Sequence, residues 1–281
     1  MTEIEQKFQD LITHIETMGQ HARDYFDSDD TKNDVKQDGS VVTRIDKEIE
    51  TMLRSYIRDN FSGDAIVGEE HDDTEGTTGF VWHIDPIDGT DNFLRKIPFC
   101  AISVARLGDT SEDSLAIIHN PITRHTFSSL MENGVYENDR IANLRKEPLG
   151  GRVTITLGVG REPWMKPAGY RIQEAISVTY GGRCKDYGST ALQLAYIAAG
   201  RLDGIITFGL GSYDWAAGLA LVRAAGGTIS VFENDKWRQW DDSLKELCNA
   251  HKKIIFASRP DIHDSLRDFI GNPRDWGTSK S

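Results

Sequence analysis

The apolar residues of this chain change period twice, and that change restricts the possible folds more than any other feature. Ile4, Phe8, Leu11, Ile12, Ile15 and Met18 recur at helical spacing, which predicts an opening amphipathic helix. Residues 27–39 are polar and read as a mobile loop. A second helical pattern runs through Ile45, Ile49, Met52, Leu53 and Ile57. Then the period shortens. Residues 65–67, 81–84, 99–107, 115–118 and 126–130 read as successive strands without helices between them, which predicts antiparallel pairing. After about residue 150 the chain alternates. Strands are expected at 153–157, 202–208, 228–232 and 253–257, and helices at 166–178, 189–199, 214–225 and 260–270. Ser189 reads as a helix cap, Gly200 as a helix end and Gly226-Gly227 as a stop. The tail 272–281 reads as frayed.

These patterns predict a layered α/β or α+β protein. Its 281 residues suit one compact unit with an N-terminal half over 1–150 and a C-terminal half over 151–281. No stretch is apolar enough to span a bilayer, and the first residues lack a signal-peptide core. Cys100, Cys184 and Cys248 are scattered and form no CxxC pair, so a reducing cytoplasm is the expected compartment. A net charge of −12 argues against nucleic acid as a direct ligand. It does not exclude a small anion, because a bound metal reverses the local sign.

The most informative segment runs Trp82-His83-Ile84-Asp85-Pro86-Ile87-Asp88-Gly89-Thr90-Asp91-Asn92-Phe93. A strand delivers Asp85, and Asp88 follows in a turn that Gly89 permits. Two carboxylates so close repel unless a cation lies between them. Hard oxygen ligands suit Mg²⁺. The Gly89 and Thr90 amides, at a helix start, suit a phosphate. In isolation the same residues make a turn with aspartate caps. Gly68-Glu69-Glu70 ends another strand, as a site or as a solvated pair. Asp214, in Ser212-Tyr213-Asp214-Trp215-Ala216-Ala217-Gly218, opens an alanine-rich helix as an N-cap or a ligand. Asp46 stands in the first turn of the second helix, where it complements the helix dipole or joins the site. All four sites lie at element boundaries, where α/β proteins build their chemistry.

Together these segments resemble the inositol monophosphatase family of the lithium-sensitive phosphatase superfamily. The motif Asp85-Pro86-Ile87-Asp88-Gly89-Thr90-Asp91-Asn92-Phe93 carries the resemblance. So do Tyr213-Asp214-Trp215-Ala216-Ala217-Gly218, Ala225-Gly226-Gly227, Gly188-Ser189-Thr190-Ala191-Leu192 and Ala198-Ala199-Gly200-Arg201-Leu202-Asp203-Gly204. The resemblance implies an α-β-α-β-α sandwich of the inositol monophosphatase and fructose-1,6-bisphosphatase type, and a homodimer. It implies two or three Mg²⁺ ions, with Mn²⁺ as a substitute and Li⁺ or Ca²⁺ as inhibitors. By matching position it assigns Glu69, Asp85 and the Ile87 carbonyl to one metal, and Asp85, Asp88 and Asp214 to another. The Gly89 and Thr90 amides would cradle phosphate. Thr90, oriented by Asp46, and Glu69 would serve the attacking water. Asp88, Arg183, Ser189, Thr190, Thr207 and Asp214 are the substrate-side candidates.

One departure bears on substrate. Many family members carry a glutamate seven residues before the aspartate of the WD motif; here that position is Thr207. Threonine is uncharged and holds a polyol less strongly. The expected activity is hydrolysis of a small phosphorylated metabolite. Inositol phosphate is the first substrate class, and fructose 1,6-bisphosphate, histidinol phosphate or an adenosine 3′,5′-bisphosphate are the alternatives. A non-catalytic, metal-binding regulator is the rival class. Arg183, Lys185 and Arg201 read as anion contacts or as solvated surface charges.

Overall fold

The computed structural model describes residues 1–28, 33–35, 41–110, 114–130, 133–160, 162–248 and 253–277. The predicted opening helices are α1, Glu3–Asp27, and α2, Arg44–Asn60. Thr2 and Glu5 close a reciprocal capping box on α1. Asn33–Val35 (β1) pairs antiparallel with Val41–Thr43 (β2), so part of the expected loop is a strand. Residues 29–32 and 36–39 of that loop, and residues 278–281 of the tail, lie outside the described residues.

A seven-stranded sheet follows: β3 Ala65–Gly68, β4 Val81–Asp88, β5 Ala101–Leu107, β6 Leu115–Asn120, β7 His125–Leu130, β8 Val135–Glu137 and β9 Arg140–Ala142, in sequential order. A short helix, α3 Thr90–Leu94, leaves β4. Antiparallel pairing holds from β4 onward, but β3 runs parallel to β4. The loop between those two strands passes back along β3, with an Ile66–Thr74 bridge, before β4 begins.

The second sheet has the order β11-β10-β12-β15-β13-β14. Its strands are β10 Thr154–Val159, β11 Arg183–Lys185, β12 Gly204–Phe208, β13 Thr228–Glu233, β14 Lys236–Gln239 and β15 Ile254–Ser258. The helices of this half are α4 Met165–Val178, α5 Thr190–Ala198, α6 Ser212–Ala224, α7 Leu244–Cys248 and α8 Pro260–Ile270. A short 3₁₀ helix, Pro273–Trp276, stands where the tail was expected to fray.

Three apolar clusters define five layers. Phe8, Leu11, Ile15 and Met18 of α1 pack with Ile45, Ile49 and Leu53 of α2 over Trp82, Ile84, Ile102 and Val104 of the first sheet. The opposite face of that sheet, with Ala101, Ala105 and Ala116, meets α5 and α6. Ile205, Ile229, Val231 and Ile255 of the second sheet close on the same two helices. Its far face, with Ile206, Phe208 and Phe256, is covered by Ile172 and Ile176 of α4 and Leu266 and Ile270 of α8. The expected α-β-α-β-α sandwich is thus the observed one. Trp215 to Val222 of α6 are buried without a break because both sheets press on this helix. A side chain at Gly218 would strike Leu194 of α5, so glycine sets how closely the two central helices approach.

Candidate metal centre

The site begins with a proline in a strand. Asp85 and Asp88 are three residues apart, and in a regular strand they would point to opposite faces. Pro86 has no N–H to give the ladder, and pairing with β5 slips there: Asp85 faces Ser103, whereas Asp88 faces Ala101. One extra residue on β4 is a bulge, and it returns Asp88 to the side of Asp85. The Ile87 amide donates to Asp85 Oδ1 at 3.0 Å and fixes the turn. Gly89, at φ +91, then caps α3. A Cβ there would lie 3.0 Å from the Gly188 carbonyl oxygen and 3.1 Å from that of Phe99, so only glycine fits comfortably.

The other carboxylates arrive on helices. The N-cap of α6 is Gly211, and Asp214 sits in the first turn rather than at the cap. That position still favours negative charge. Asp85, Asp88 and Asp214 each offer an oxygen within 4.8 Å of the others. Asp85 and Asp88 are buried, and Asp214 is half-buried. Asp88 Oδ2 accepts the Ser189 hydroxyl at 2.6 Å and the Ala191 amide at 2.7 Å, which seats it on the start of α5. The buried His83 imidazole pairs through Nδ1 with Ser212 Oγ at 2.9 Å and ties β4 to the start of α6.

Asp46 is fully buried at the start of α2, where its Oδ2 accepts the Thr43 amide at 2.9 Å and contacts the Thr43 hydroxyl. The Thr90 hydroxyl lies 3.0 Å from the Ile87 carbonyl oxygen and 3.3 Å from Asp46 Oδ1. It carries one proton and donates to one of them at a time. Burial, then the charges of Glu69, Asp88, Asp214 and Asp46, hold the Asp85 carboxyl well above the usual carboxylate range. Burial also pushes Asp88 up to about 7, against the Ser189 hydroxyl and the Ala191 and Thr190 amides, which favour its ionised form. Carboxylates crowded in this way, with only oxygen donors, fit a hard divalent cation.

Several substrate-side expectations meet different surroundings. Ser189 is buried, with its hydroxyl on Asp88 and on the Leu192 amide of its own helix. Thr207 is 1% exposed in the middle of β12, between Gly158 of β10 and Ile255 of β15. Thr190 lies against the same Gly158. Arg183 is exposed at the start of edge strand β11, opposite Thr154. Arg201 pairs with Glu137 and lies over the Tyr196 ring, which accounts for its charge. Sequence reasoning missed His83 and Ser212, and also Glu50 and Arg54 of α2. The last two had a signal: Asp46, Glu50 and Arg54 recur every four residues, a charged stripe beside the apolar one.

A five-layered sandwich that converges carboxylates from strand ends and helix starts at one point defines a protein built to hold a metal ion. The chain belongs to the inositol monophosphatase family, whose model matches residues 5–268. It is 34% identical over 255 residues to the Nus factor SuhB of Escherichia coli K12, covering 89% of this chain and 92% of that one. It is 30% identical over 231 residues to the inositol-1-monophosphatase of Bacillus subtilis 168, covering 80% and 82%. The fold is shared with an IMPase of Thermotoga maritima, at a TM-score of 0.79 and 24% identity over 97% of this chain and 100% of that one. Among the described residues no helix is long and apolar enough to cross a membrane.

Proposed function

We propose that this chain is a Mg²⁺-dependent phosphatase that hydrolyses a small phosphate monoester to an alcohol and inorganic phosphate, with inositol phosphates as the first substrate class. One observation carries the reading: three carboxylates within 4.8 Å, two of them buried in a setting that penalises their charge. Glu69, Asp85 and the Ile87 carbonyl would hold one Mg²⁺, and Asp85, Asp88 and Asp214 a second. When bound, such ions neutralise phosphoryl oxygens, acidify water and stabilise the leaving oxygen. The protein supplies position. The Gly89 and Thr90 amides cradle the phosphate, and the Thr90 hydroxyl, between Ile87 and Asp46, orients the attacking water together with Glu69. Asp88, anchored on Ser189 and Ala191, keeps its other oxygen for the ion. A homodimer, inhibition by Li⁺ and a cytoplasmic location belong to the same reading.

The buried, uncharged Thr207 leaves polyol selectivity weaker than a glutamate would, which keeps sugar bisphosphates and histidinol phosphate in play. A panel of phosphomonoesters assayed with Mg²⁺ tests the proposal. Turnover of an inositol phosphate that disappears with chelator is the expected result, and no turnover of any member would overturn it.

A second reading, a regulatory role without catalysis, is favoured by the relatives named Nus factor SuhB. Asp88→Asn separates the two: a variant without turnover that keeps full biological activity supports regulation.

A further inference from the structure

Glu69 is the one expected metal ligand carried by a loop, and something must hold that loop. The neighbouring face of α2 does so with a buried ion pair. Glu50 is fully buried, and Arg54, one turn on, donates through Nε to Glu50 Oε1 at 2.8 Å. Both groups then reach the loop after β3. Glu50 Oε2 accepts the Glu70 amide at 2.7 Å, and Oε1 accepts the His71 amide at 3.2 Å. Arg54 donates to the His71 carbonyl and to Thr74 Oγ1, each at 3.1 Å. Gly68 completes the fit, since a Cβ there would collide with Glu50 Oε1.

A buried ion pair has a poor case as a stabilising device, because desolvation offsets its attraction. Three of its remaining hydrogen bonds go to the backbone of Glu70 and His71, directly after Glu69, and one goes to the Thr74 side chain. We infer that Glu50 and Arg54 are positioning residues that lock the Gly68–His71 backbone so that Glu69 faces Asp85 and Asp88. Burial and the Glu69 charge are among the causes that raise both of those carboxyls, while Glu69 itself stands outside the 4.8 Å cluster of Asp85, Asp88 and Asp214. The inference rests on the metal-centre reading above and adds two residues to it. Groups that orient a ligand tune metal affinity as strongly as the ligands' neighbours in other sites, by about tenfold or more.

The test is calorimetric titration of Mg²⁺ into the intact wild-type chain, Glu50→Gln and Arg54→Lys, well below each melting temperature. Glu50→Gln keeps one acceptor oxygen, and Arg54→Lys keeps the charge but loses the fork. Mg²⁺ affinity is expected to fall about tenfold in either variant. In a parallel assay the Mg²⁺ midpoint for turnover rises while kcat at saturating Mg²⁺ is retained. If Glu50→Gln does not fold, Arg54→Lys carries the test alone. Wild-type affinity in a folded variant, with only its melting temperature lowered, overturns the inference and leaves the metal centre standing. No heat of binding in the wild type overturns the metal centre and this inference with it.

Discussion

Asp85 is surrounded by four other carboxylates that all disfavour its charge, and burial disfavours it further. Replacing it by asparagine removes a repelling charge and, on the proposed function, a metal ligand. Asp85→Asn is therefore expected to melt no lower than the wild type in chelator, to gain nothing on adding Mg²⁺, and to lose turnover. The wild type should gain about 2.7 kcal/mol at a Mg²⁺ concentration one hundred times Kd. Asp214→Asn should behave likewise, since its carboxylate belongs to the same cluster. Differential scanning calorimetry with and without Mg²⁺ reads both variants. Collapse of either fold in chelator would give these aspartates a structural role instead.

Element boundaries decide what the chain discloses of itself. Helices with one wet face, such as α1, α2 and α8, were legible because their apolar residues repeat along one stripe. Pro260 even marks the first residue of α8. The start of α6 was less legible: from Trp215 to Val222 the helix is buried without a break, so it has no stripe to give its phase, and Gly211 rather than Asp214 caps it. The β8–β9 hairpin escaped because its cross-strand pair, Tyr136 and Ile141, faces solvent. Parallel pairing of β3 with β4 is set by a long-range loop that no local pattern encodes. The site divides in the same way. Its residue types stood in plain sequence, while their convergence depends on a one-residue bulge at Pro86 and on the seat of Asp88 at α5. That seat is testable. Ser189→Ala removes a helix cap and a hydroxyl from the Asp88 carboxylate, so urea unfolding should show a loss of about 2 kcal/mol. A loss of a few tenths would mean that the Ala191 amide suffices.

At the scale of the whole molecule, a buried imidazole stands at three of the four interfaces between layers. His119 packs beneath Gly19 of α1, His83 meets Ser212 of α6, and His263 of α8 bridges Ser230 and Ser258 of the second sheet. Burial is the main cause that lowers each of them to about 4. The native state keeps them neutral, whereas the unfolded chain takes up protons below about pH 6.5. Stability is therefore whole above pH 6.5 and lost between there and about pH 4, at up to about 1.4 kcal/mol per pH unit for each ring. Urea midpoints from pH 7 to pH 4.5 should fall accordingly, and His263→Leu should flatten the slope by one ring's share. An unchanged slope would mean that His263 already titrates normally. The position of α6 has one more consequence. This helix lies between the two sheets, and its contacts to β5 span more than a hundred residues. A nascent chain that has just made Asp88 thus owns most of the carboxylates but no finished trap. The three-carboxylate cluster exists only once α6 has docked on the first sheet, so a chain ending at Asp88 lacks the third oxygen of that cluster.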